Sequence, residues 1–137
     1  MSEKQKTLIK VLLLVLVALD LIYSVIAFLF PEFWFKTIHG APYIDPEGLL
    51  RRTGAVWVAF TLFQFIAYFK WQEHPYWLAI VAGLRLSELI ADWTYLYFAQ
   101  DITSSGRLGL LLSTPANLVI CWFLLRSFLK LEEIREK

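Results

Sequence analysis

Arg85, Glu88 and Asp92 stand three and then four residues apart within the run Ala82–Trp93, so on a helix they share one face. The residues around them are those of a membrane-spanning segment. A charge near the bilayer centre costs about 2.5–3.5 kcal/mol on insertion scales, so such groups turn inward, pair with one another or line a wet cavity. Two chemistries fit this face: a carboxyl that takes up and releases a proton, or polar groups that recognise a ligand dissolved in the membrane. The plainer use is structural, because polar groups between helices act as hydrogen-bond glue worth about 0.6 kcal/mol per pair.

Other segments offer partners at matching depth. Asp20 lies halfway along the apolar run Leu8–Phe30, and Glu88 halfway along Tyr76–Ala99. Gln64 is expected at about the level of Arg85, and Asn117 near the middle of Leu108–Leu129. Tyr23, Trp57 and Trp93 sit deep enough to wall a pocket around these groups, although plain packing explains them better. Asp20, Glu88 and Asp92 would share one cation, Arg85, leaving two negative charges uncompensated if all three were ionised. At least one carboxyl is therefore expected to hold its proton at neutral pH.

The elements that must position these residues follow from composition and punctuation. Of the 137 residues, 58% are hydrophobic and 17% aromatic, and the mean hydropathy is +0.58. Soluble domains are nearer 45–50% apolar, so a membrane protein is the first reading. At about 20 residues per span, the length accommodates four helices and short loops. The expectation is one all-α integral membrane domain over 1–137, an antiparallel four-helix bundle with spans near 8–30, 50–70, 76–99 and 108–129.

The first apolar run is too long for a signal peptide, carries Asp20 at its centre and lacks a small-residue cleavage site. Pro31 ends it. The segment Glu32–Ile44 mixes Phe33, Trp34, Phe35 and Tyr43 with Lys36 and His39, so it reads as a connector at the membrane–water interface. Asp45-Pro46-Glu47 predicts a capped helix start near Pro46. Pro115 falls inside the fourth span, where it predicts a kink. The six tryptophans read chiefly as anchors at helix ends.

Four spans put both termini and the Lys70 turn on one side. That side carries eight basic residues, Lys4, Lys6, Lys10, Lys70, Arg126, Lys130, Arg135 and Lys137, against Lys36, Arg51, Arg52 and Arg107 on the other. The bias of Lys and Arg toward the cytoplasm then places both termini inside.

Several functions are disfavoured. Cys121 is the one cysteine, so neither an intramolecular disulfide nor a Cys-x-x-Cys redox pair is possible. His39 and His74 fall in expected loops, which argues against a haem held between helices. The sequence contains no phosphate-cradling Gly-rich loop, nucleophile elbow or metal-ligand cluster, and nothing suggests nucleic-acid binding. No cofactor is indicated.

The motifs Pro31-Glu32-Phe33, His39-Gly40-Ala41-Pro42, Leu50-Arg51-Arg52-Thr53-Gly54-Ala55 and Leu84-Arg85-Leu86-Ser87-Glu88 resemble those of the DoxX-like group of small bacterial four-helix membrane proteins. The resemblance covers about residues 8–100 and implies an antiparallel bundle in the bacterial cytoplasmic (inner) membrane. It says little about activity, although members of the group resemble partners in membrane redox assemblies. The function expected is that of a non-catalytic membrane protein with a polar interior pocket. It would act as an accessory subunit of a larger complex or as a binder of a lipid-like or quinone-like molecule. A proton-coupled transporter working as a homo-oligomer through Asp20 or Glu88 is the alternative, and an enzyme acting on an apolar substrate through Glu88 or Asp92 has least support.

Overall fold

The computed structural model describes residues 1–40 and 42–135; Ala41 of the connector motif and Glu136 and Lys137 of the charged tail lie outside the described residues. The protein is all-α. Its helices are α1 (Glu3–Leu29), α2 (Pro31–Trp34, continued by a π-helical turn over Phe35–His39), α3 (Leu49–Lys70), α4 (Tyr76–Phe98) and α5 (Ser104–Arg135). Of these, α1, α3 and α5 are long and apolar enough to cross a bilayer. α4 has 23 residues, but every 18-residue stretch of it contains Arg85, Glu88 and Asp92. The charges that mark the site are what set this helix apart.

Local chemistry accounts for most boundaries. Ser2 and Gln5 form a capping box that starts α1 five residues earlier than the apolar run suggests. Phe30 leaves the helical region before Pro31, as the proline ring requires of its predecessor. α3 corrects the expectation of a start near Pro46. The Asp45 carboxylate does cap the helix, accepting from the amides of Leu49 (2.7 Å) and Leu50 (3.0 Å). It does so across a turn closed by Gly48, which has φ +67°, so the first helical residue is Leu49.

α5 begins where the Thr103 hydroxyl accepts the Gly106 amide at 3.0 Å. It runs through Pro115 to Arg135, beyond both ends of the expected span. At 1.5 Å per residue its 32 residues reach about 48 Å, whereas the hydrocarbon core is about 30 Å thick. α5 is thus longer than a crossing requires, and at its end the Arg135 guanidinium donates to the Glu73 carbonyl in the α3–α4 turn.

α1 lies along α3 and α4 along α5, with lighter contact where α3 meets α4. The apolar interior is split in two. Near the chain termini, Ile9, Leu13 and Leu16 meet Ala67, Trp71, Leu78, Val81, Cys121 and Leu124. Toward the connector, Ala27, Trp57 and Phe60 form a smaller cluster backed by Trp34, Leu50 and Leu84. Trp71, which reads from sequence as an interfacial anchor, is 1% exposed within the larger cluster. Gly54 permits the close approach of α1 to α3 near the second cluster, since a Cβ there would stand 2.9 Å from that of Ala27. The outward faces of α1 and α5 are aliphatic, with Leu8, Val11, Val15, Ile22, Leu112, Leu118 and Val119 exposed.

Candidate functional site

Between the two apolar clusters lies a polar layer contributed by three helices. Asp20 of α1 and Arg85 of α4 are 2% and 4% exposed, and Arg85 Nη2 meets Asp20 Oδ2 at 2.5 Å. Gln64 of α3 donates through Nε2 to the same oxygen at 2.7 Å. Each residue sits where its helix turns polar toward the centre: Leu16 and Ala27 flank Asp20, Phe60 and Ala67 flank Gln64, and Ala82 lies just before Arg85. The Arg85 guanidinium also lies over the Phe60 ring, 5.6 Å from its centroid. Two charges this deep remain only because each neutralises the other. Removing one partner from a buried pair costs about 3–5 kcal/mol.

The same helical face carries Glu88 and Asp92 onward toward the connector. Glu88 Oε1 accepts from the indole N–H of Trp57 at 3.2 Å. Asp92 Oδ2 accepts from the Ser113 hydroxyl of α5 at 2.5 Å. Neither carboxyl has a cationic partner among the described residues, because Arg85 is engaged by Asp20. Three acids expected to share one arginine are thus sorted by position: one is paired, and two hold a single neutral donor each.

Rings close the site above the ion pair. Tyr23, Trp34 and Trp57 form an aromatic trio, with centroids 5.8 Å apart for Tyr23–Trp34, 5.6 Å for Tyr23–Trp57 and 5.2 Å for Trp34–Trp57. Trp34 comes from α2, so the connector forms part of the wall rather than only lying on a bilayer surface. Sequence reading missed this role, as it missed Ser113. An aromatic residue in a connector gives no sign of which way its ring turns, and a lone serine in an apolar helix is common.

Not all the expected residues converge. Asp20, Gln64, Arg85, Glu88, Tyr23 and Trp57 do, and Asp92 joins them through α4. Trp93 does not: it is 64% exposed, because the residue after Asp92 is rotated about 100° around the helix from the inward face. Asn117 is buried in the stripe of α5 that also holds Thr114 and Cys121, and it makes no hydrogen bond to the layer.

Where α3 and α4 separate, a groove of about 400 Å³ opens sideways. Arg52, Val56, Trp57 and Phe60 line one wall, and Ser87, Glu88 and Ala91 the other. Val56 is exposed on its lip, so the opening faces whatever surrounds the bundle. A second hollow, of about 550 Å³, lies at the connector between Glu32, Lys36, Gly40, Pro42 and Tyr43, and contains none of the layer residues. Among the described residues no cluster of three or more His, Cys, Asp or Glu side chains is placed to hold a metal ion.

The connector is held down from the other side. The Thr103 hydroxyl donates to the Thr37 carbonyl at 2.6 Å, and the Thr103 amide to the Ile38 carbonyl at 2.8 Å. His39 stacks on Phe35, with centroids 4.6 Å apart, and hydrogen-bonds the Tyr95 hydroxyl through Nδ1 at 2.6 Å. Burial pushes the His39 imidazole below its ordinary value of 6.5. Comparison with known families, with curated proteins and with solved structures finds no match to this chain.

Proposed function

We propose that this chain is a four-span integral membrane protein that holds an amphipathic, lipid-like or quinone-like molecule in the α3–α4 groove and does so without chemical turnover. The observation that carries the reading is the groove itself: it opens to the outside of the bundle and has at its wall a carboxyl, Glu88, with no cationic partner among the described residues. Ligand sites pair an apolar lining with a few placed polar groups, and Val56, Trp57, Phe60 and Ala91 beside Glu88 fit that pattern.

The 23 residues of α4 span about 35 Å, enough to cross a bilayer. Its three ionisable groups turn to partners on α1, α3 and α5. Both termini are assigned to the cytoplasmic side of a bacterial inner membrane, on the charge count and on the resemblance to the DoxX-like group. In that setting the protein would present its bound molecule to a larger membrane assembly. A transporter built on Asp20 is less well supported, because Arg85 and Gln64 already hold that carboxylate in a buried pair.

Native mass spectrometry of the protein released from mild detergent tests the reading. A reproducible added mass of a few hundred daltons is expected, and it should be lost in Glu88→Gln. An empty bundle, or an adduct indifferent to Glu88, would exclude the groove as the binding site.

A further inference from the structure

We infer that the occupant of the α3–α4 groove is a cationic amphiphile, a single apolar chain with an ammonium-type head that pairs with Glu88. The inference rests on the groove reading above and specifies its ligand class. Glu88 and Arg52 are the ionisable side chains among the groove's lining residues, and Asp20, Arg85 and Asp92 are the ionisable neighbours of Glu88 in the polar layer. Asp20 and Arg85 cancel each other at 2.5 Å. Arg52 lines the same groove but forms no ion pair with Glu88, and it lies five residues, about 7.5 Å along α3, from Trp57, the residue that Glu88 contacts. It is exposed and stands at another level of the groove, whereas the charge beside Trp57 is acidic.

A carboxylate offers about four acceptor positions. Glu88 receives one donor, the Trp57 indole N–H, and Asp92, one turn further along α4, receives one, the Ser113 hydroxyl. A neutral hydroxyl on a ligand would supply a donor without balancing the charge; an ammonium head supplies both. An anionic head beside Trp57 would meet Glu88, with Arg52 the one cation among the lining residues. The chain would lie along Val56 and Phe60 toward the open side of the groove.

Three brominated single-chain amphiphiles of equal chain length, ending in ammonium, hydroxyl or carboxylate, separate these cases when titrated into the protein in bilayer nanodiscs. Saturable quenching of tryptophan emission is expected from the ammonium compound alone, weakened about tenfold or more in Glu88→Gln and largely kept in Glu88→Asp. Ala91→Phe, on the opposite wall, should abolish it by filling the groove without adding a tryptophan, and serves if Glu88→Gln does not fold. Equal saturable quenching by the hydroxyl or carboxylate compound would overturn the cationic assignment and leave the groove reading standing. Quenching by the ammonium compound that ignores both Glu88→Gln and Ala91→Phe would overturn it as well. Absence of saturable quenching with all three would overturn both.

Discussion

At the scale of the residue, one arginine decides what the three acids can do. Arg85 is buried against Asp20 and shares its oxygen with Gln64, so Glu88 and Asp92 are left with neutral donors. Arg85→Gln should destabilise the bundle by about 3–5 kcal/mol, because Asp20 is then a buried charge without a partner. The double variant Asp20→Asn/Arg85→Gln should recover much of that loss, since it removes both charges. Thermal unfolding in detergent measures both, and strictly additive losses would show that the two residues do not interact. The spacing of Arg85, Glu88 and Asp92 made their shared face legible in the sequence. Which acid takes the arginine was not, because that depends on how far α1 is shifted along α4. Trp93 shows the limit of reading by depth alone: it follows Asp92 directly, yet its ring turns outward and is exposed.

At the scale of the element, the connector carries more of the architecture than its sequence suggests. Its aromatic residues read as an interfacial belt, yet Trp34 packs into the site and the π-helical turn is clipped to the start of α5. Gly106 makes the clip possible, since a Cβ there would stand 2.8 Å from the Ile38 carbonyl oxygen. His39 adds a pH dependence. Its folded value is lowered, so the clip is fully stable above about pH 6.5 and loses stability as pH falls below it. Amide hydrogen exchange over residues 35–39, corrected for the intrinsic rate, should quicken on acidification and should already be fast in Gly106→Val. Unchanged protection in both would mean that the clip does not hold the turn. The start of α3 went unread for a related reason: Asp45-Pro46-Glu47 has the composition of a helix start, but Gly48 at positive φ places a turn before the helix.

At the scale of the whole molecule, the sequence foretold an all-α protein with long apolar helices, and the structure has that form. Hydrophobic periodicity and proline punctuation carry that much information. They do not carry the pairing of α1 with α3 and α4 with α5, nor the looser seam between the pairs where the groove opens. The proposed topology makes a direct prediction: reporter fusions at either terminus should be active only as cytoplasmic enzymes, and a fusion in the connector only as an exported one. Opposite sides for the two termini would mean an odd number of spans and would remove α4 from the membrane.

The function proposed for this protein rests on the α3–α4 groove, and photo-crosslinking in intact membranes reads its occupant. A benzophenone amino acid replacing Val56, on the lip, is compared with one replacing Val119, exposed on the outer face of α5. One dominant small-molecule adduct is expected at position 56, absent in Glu88→Gln, and only bulk phospholipid at position 119. The same mixture of bulk lipids at both positions, unchanged by Glu88→Gln, would contradict it.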